Sequence, residues 1–91
     1  MSWKISYAHS AQKDAKKLDA QTKRKIRAYL HERIAPLDDP RQFGKPLKGQ
    51  LSELWRYRVG NYRIICDIND REIIVLVLRL SHRKDVYSKP L

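Results

Sequence analysis

Ten residues, Leu54 to Arg63, constrain the fold of this chain more than any other stretch: Leu-Trp-Arg-Tyr-Arg-Val-Gly-Asn-Tyr-Arg. Trp55, Tyr57 and Val59 alternate with Arg56 and Arg58. Gly60-Asn61 then supplies two residues that tolerate positive φ, and Tyr62, Ile64, Cys66 and Ile68 resume the alternation. Period-two patterning on both sides of a Gly-Asn pair predicts a β-hairpin. A two-residue loop fixes its register, with Val59 opposite Tyr62, Arg58 opposite Arg63 and Tyr57 opposite Ile64. One face is then apolar and aromatic, and the other carries arginine.

Like charges facing each other across a strand pair cost stability. A sequence that sets Arg58 against Arg63, with Arg56 two residues away on the same face, has a polyanion to put there. The plainer alternative is that these arginines solvate the outer face of a sheet whose other face is core. Trp55 and Tyr57 alternate with the arginines, which assigns them to the core rather than to base stacking.

The whole chain has 91 residues, enough for one core and not for two, so a single domain over 1–91 is expected. Twenty Lys and Arg against ten Asp and Glu give a net charge of +10, which suits nucleic acid, an acidic protein or an anionic membrane surface. Cys66 is the only cysteine, so neither a disulfide framework nor a cluster of thiolate ligands is expected. No signal-like apolar run opens the chain, and nowhere are 18 consecutive residues apolar. A soluble, cytoplasmic protein with no membrane partner is the expectation.

Taken in order, Trp3, Ile5 and Tyr7 alternate with polar residues as a short first strand. Ser10 is placed to cap a helix carrying Ala11, Ala15 and Leu18 on one side. Asp19 or Thr22 caps a second helix with a stripe of Ile26, Tyr29, Leu30 and Ile34, ended by Pro36. The basic run Lys23, Arg24, Lys25 and Arg27 reads first as a solvated helix face, and second as a source of steering toward RNA. Residues 38–50 hold Pro40, Gly44, Pro46 and Gly49 without periodicity, an ordered but irregular connection in which Lys45 and Lys48 extend the basic surface as auxiliary RNA-binding candidates. Asn69-Asp70 marks a further turn. Ile73 to Leu80 is apolar on both alternations except at Arg79, the pattern of a strand covered on both sides. A polar segment, Ser81 to Tyr87, follows it and is expected near the arginine face. The fold class is therefore α+β, in the order β-α-α-β-β-β: a small, mostly antiparallel twisted sheet with the two N-terminal helices packed on one face.

The polar groups this arrangement gathers are Arg56, Arg58 and Arg63 from the hairpin and His82, Arg83 and Tyr87 from the tail. Guanidinium groups bind a phosphodiester through rigid forks of donors and never deprotonate. Tyrosine stacks on a base or, among cations, accepts a proton, and histidine exchanges one near neutral pH. This set suits RNA cleavage by attack of a ribose 2′-OH on the adjacent phosphate, which needs a base, an acid and cations around the phosphate. His9, His31 and His82 lie on different elements without paired carboxylates, and no Gly-rich phosphate loop is present, so no metal or cofactor is expected. Each residue also has a bland role: Tyr87 as a terminal anchor, His82 as a surface residue. Their convergence carries the catalytic reading.

The element order, together with Leu47-Lys48-Gly49, the stretch Leu54 to Ile65 and His82-Arg83-Lys84-Asp85-Val86-Tyr87, resembles the RelE toxins of the RelE/ParE superfamily over nearly the whole chain. The resemblance implies a type II toxin that cleaves mRNA in the ribosomal A site without metal, and that a cognate RelB-like antitoxin neutralises. It also implies that promoter DNA is bound only through the toxin–antitoxin complex. It carries the family's basic hairpin positions onto Arg56 and Arg58, the arginine of the next strand onto Arg63, the arginine after the last strand onto Arg83, and the terminal tyrosine onto Tyr87. In the best-known members the two hairpin positions are lysine. Arginine is too basic to act as a proton acceptor, so here proton transfer shifts toward Tyr87 and His82. Two other functions share these features: a ParE-like inhibitor of DNA gyrase, and a non-catalytic RNA- or ribosome-binding module.

Overall fold

The computed structural model describes residues 2–82. Strand β1 (Lys4–Tyr7) leads into helix α1 (His9–Ala15), then helix α2 (Ala20–Ala28). After the irregular connection come β2 (Lys45–Pro46), β3 (Trp55–Val59), β4 (Tyr62–Asn69) and β5 (Ile74–His82). The sheet order is β1-β5-β4-β3-β2, antiparallel except that β1 lies parallel to β5. The expected α+β fold with two helices and a mostly antiparallel sheet is therefore present, with one added strand, β2, inside the segment read as irregular.

Helix α2 starts at Asp19, whose carboxylate accepts the Thr22 N–H at 3.0 Å. That bond satisfies one of the donors every helix start leaves open. The helix continues into a single wide turn over Tyr29–Ile34, with the Ala35 N–H bonded to Leu30 O five residues back, and stops before Pro36. Ser10, expected to cap α1, lies inside it instead. Ala8 takes the cap position without a side-chain bond, and the Ser10 hydroxyl donates to Leu78 O at 2.6 Å. The core joins Ala11, Ile26, Leu30 and Ile34 of the helical layer to Tyr57, Ile64, Cys66, Ile68, Val75, Val77 and Leu80 of the sheet.

The hairpin register matches the expectation residue for residue, with Val59 opposite Tyr62, Arg58 opposite Arg63 and Tyr57 opposite Ile64. Its turn is narrower in kind than Gly-Asn allows. Gly60 adopts φ +58°, whereas Ile73 is the only non-glycine residue with positive φ among the described residues, so the hairpin turn uses the glycine at its first central position.

Strand β5 departs from the sequence reading in one decisive way. Ile65 pairs with Arg79 while Cys66 pairs with Val77, so Leu78 is an extra residue, a β-bulge. The alternation changes phase there: Val75 and Val77 face the core before it, and Leu80 faces the core after it. Ile74 and Leu76 are half-buried on the opposite face, so the strand is apolar on both sides up to the bulge, and the parity switch there returns Leu80 to the core.

Candidate nucleic-acid interface

Cross-strand partners share a face of a sheet, so the observed register gives the composition of the face turned away from the core. One row runs Lys45, Arg56, Ile65, Arg79 across β2, β3, β4 and β5. The next runs Arg58, Arg63, Ser81 across β3, β4 and β5. Five cations from four strands thus stand on one side of the sheet. Arg56, Arg58 and Arg63 are brought together as the alternation predicts, and the β2 pairing adds Lys45 to them. Ile65, only 5% exposed yet outside the core cluster, lies among them, flanked in register by Arg56 and Arg79. Arginine stems suit such a position, because their methylenes cover apolar surface while the guanidinium stays in solvent.

Arg79 is the member that sequence reasoning missed. Its Nε donates to Asp14 Oδ2 at 2.8 Å and its Nη2 approaches Asp14 Oδ1 at 3.4 Å. The same Oδ2 accepts the Leu80 N–H at 2.9 Å. Strand β1 pairs with β5 only as far as Val77, so beyond that point the β5 edge has no strand beside it. Ser10 and Asp14 of α1 take the place of the absent strand by bonding Leu78 O and Leu80 N–H. The hydrogen bond it donates to Asp14 raises the pKa of Arg79 above the ordinary arginine value. A single arginine in an apolar strand was the available sign. Without the bulge, its face could not be read.

The same bulge moves His82. Expected near the arginines, it pairs instead with Tyr62 on the core side of the sheet, their rings meeting edge to face with centroids 5.1 Å apart. Lys48 is exposed just before a short 3-10 turn (Gly49–Leu51), outside the rows of paired cations. Arg83 and Tyr87 lie outside the described residues. Tyr57 is fully buried, donating its hydroxyl to Pro40 O, and burial raises its pKa well above the ordinary tyrosine value. Trp55 is half-buried with the Arg41 guanidinium 5.8 Å from its ring, so both aromatics serve the core side as their alternation implies. Burial likewise pushes the Cys66 thiol up, keeping it protonated. Among the described residues, no three His, Cys, Asp or Glu side chains gather where they could hold a metal ion. No helix among them is long and apolar enough to cross a membrane.

The family profile of the ParE toxin of type II toxin-antitoxin systems, parDE, matches residues 5–87. The chain belongs to that toxin family. Two curated relatives mark it as a RelE-type member. Toxin RelG of Mycobacterium tuberculosis is 29% identical over 90 residues, covering 98% of this chain and 100% of the relative. Toxin RelE3 of Methanocaldococcus jannaschii is 33% identical over 87 residues, covering 93% and 96%. Among solved structures, the toxin–antitoxin complex RelBE2 from Mycobacterium tuberculosis superposes with a TM-score of 0.83 at 25% identity, covering 91% of this chain and 93% of the other. This toxin therefore carries the arginine face on a fold shared across bacterial and archaeal RelE-type toxins.

Proposed function

We propose that this toxin is a ribosome-dependent endoribonuclease that cleaves mRNA in the A site by attack of the ribose 2′-OH on the adjacent phosphate, in the cytoplasm and without metal. The carrying observation is the register that sets Arg58 directly against Arg63, beside Arg56 and Lys45, on the face of the sheet turned from the core. In this reading Arg56, Arg58 and Arg63 bind the phosphodiester and stabilise the charge that grows on it. Lys45 and Lys48 hold flanking phosphates. Arg83 adds a further cation and Tyr87 supplies proton transfer, since arginine stays protonated throughout; His82, on the core side with Tyr62, takes no part in it.

A RelB-like antitoxin is the proposed inhibitor, and promoter DNA the proposed target of the joint complex only. The superposed structure from Mycobacterium tuberculosis was solved as a toxin–antitoxin complex. This chain also has an open apolar groove between α1 and α2, lined by Tyr7, Ala11, Ala15, Ile26 and Leu80 with Lys23 and Arg27 at its rim. An acidic amphipathic segment fits both its lining and its charge.

The test adds purified toxin to programmed ribosomes carrying a defined mRNA, with the same mRNA free in parallel, and maps the new RNA ends. Cuts confined to the A-site codon are expected, slowed by Arg58→Ala and Tyr87→Phe. Absence of cuts from protein that still arrests growth would overturn the nuclease reading in favour of a gyrase inhibitor. Cleavage untouched by Tyr87→Phe would overturn the proton-transfer assignment alone.

A further inference from the structure

Strand β2 has only two residues, one of them a proline, and so short a ladder cannot hold an edge strand in place by itself. Its position nevertheless decides whether Lys45 stands opposite Arg56 in the cation row. The segment leading into it is fixed from outside. The Tyr57 hydroxyl donates to Pro40 O from the core, and a Cβ on Gly44 would meet the Tyr57 ring at 3.1 Å, so the chain lies tight against β3 at both places. Between them comes Arg41.

Arg41 Nη1 and Nη2 donate to Asp70 Oδ1 and Oδ2 at 3.0 and 2.5 Å, and Nη1 also reaches Asp39 Oδ1 at 3.3 Å. The guanidinium lies 5.8 Å from the centre of the ring of Trp55, the residue that pairs with Pro46. Its backbone is held as well: Asp39 Oδ1 accepts the Arg41 N–H, and Arg41 O accepts the Gly44 N–H, both at 3.0 Å. Asp70 belongs to the turn between β4 and β5, which the Asn69 side chain shapes by accepting the Glu72 N–H. One side chain therefore joins the approach to β2 to a turn on the far side of β3. A planar fork that meets both oxygens of a carboxylate fixes direction as well as distance, which a lysine cannot do. With Asp70 65% exposed, the pair adds little to global stability, so its effect falls on the segment it tethers.

We propose that Arg41, latched to Asp70, is a positioning residue that sets the two-residue strand β2 and thereby places Lys45 in the cation row that meets RNA phosphate. This rests on the RNA-directed reading above and adds to it the device that assembles one end of the row. A surface ion pair without consequence is the competing account, but it does not explain why one guanidinium serves two carboxylates, an aromatic ring and the approach to the strand.

The test centres on Arg41→Lys, which keeps the net charge and removes the fork. Hydrogen exchange at the Leu47 N–H, bonded to Leu54 O at 2.9 Å just past β2, reports the strand, and exchange at the Ala8 N–H, bonded to Val77 O, reports the rest of the fold. A fluorescently end-labelled single-stranded RNA hexamer reports affinity. Exchange at Leu47 should quicken roughly 10-fold in Arg41→Lys while Ala8 stays within about 2-fold of wild type. Hexamer binding should weaken about 3- to 10-fold in Lys45→Ala and by a similar factor in Arg41→Lys, with the double variant no weaker than Lys45→Ala alone. Unchanged exchange at Leu47, equal acceleration at both amides, or additive losses in the double variant would each overturn the proposal. The two readings separate cleanly. Binding that ignores Lys45→Ala removes the RNA role of Lys45 and the proposal with it, whereas binding that needs Lys45 but not Arg41 keeps the cation row and removes the latch.

Discussion

Replacing Asp14 with alanine should destabilise the toxin mainly through a backbone amide that the side chain serves. The carboxylate is 13% exposed, its partner Arg79 is 35% exposed, and the Leu80 N–H shares the oxygen that binds Arg79. Stripping a charged acceptor from a part-buried N–H costs about 2 kcal/mol. The ion pair, with a third of the arginine in solvent, adds only about 0.5 kcal/mol. Alanine is the better helix former near the end of α1 and returns about 0.5 kcal/mol. The expected net loss is therefore about 2 kcal/mol, a fall of roughly 10–15 °C in midpoint for a domain of this size. Urea unfolding of Asp14→Ala, Arg79→Met and the double variant measures the parts. Arg79→Met should cost under about 1 kcal/mol, with a coupling no larger than that, so most of the Asp14→Ala loss persists in the Arg79→Met background. A loss below about 0.5 kcal/mol, or one that vanishes in that background, would refute the claim that Asp14 substitutes for a strand at the β5 edge.

Gly44→Ala should lower stability by about 1–2 kcal/mol in urea unfolding, because its Cβ would press on the Tyr57 ring and the Arg56 carbonyl. Arg58→Thr should raise stability by about 0.5 kcal/mol at low salt by relieving the like-charge pair. The same change should make the log–log salt dependence of RNA binding shallower by about 0.7, the mark of one lost phosphate contact. Asp19 has a pKa held below the usual carboxylate value by the Thr22 hydrogen bonds, so its stabilisation is present above its unfolded pKa and is lost as pH falls through the folded one. Stability measured from pH 5 downward should therefore fall less steeply in Asp19→Asn than in wild type. Cys66, buried and protonated, should react with a thiol reagent at pH 8 only at the rate of unfolding.

The hairpin was legible because three independent signals agreed there: alternation, a Gly-Asn pair and aromatic and β-branched composition. Asp19 and Pro36 bounded α2 for equally local reasons. What escaped was non-local. Strand β2 has two residues, Lys45 and Pro46, and exists only because β3 is there to pair with it. Ser10 suits a helix cap by type, yet its hydroxyl finds a better acceptor at Leu78 O, far away in sequence. The bulge at Leu78 left no mark in composition, and that one inserted residue decides which face Arg79 and His82 occupy. Arg56, Arg58 and Arg63 could be grouped from spacing alone. Lys45 and Asp14 could not, because each acquires its meaning from a neighbour that folding supplies.

The parallel pairing of Lys4–Tyr7 with Ile74–Val77 sets the first strand beside β5 at one edge of the sheet, across about 70 residues of sequence. Contacts that distant close slowly, and during synthesis they cannot close at all until the last strand has emerged. A growing chain thus displays its arginine hairpin well before β5 arrives to hold β4 in register and to add Arg79 to the face. The order of synthesis itself delays assembly of the full basic surface until β5 has been made, because Arg79 reaches that face only through the β4–β5 pairing.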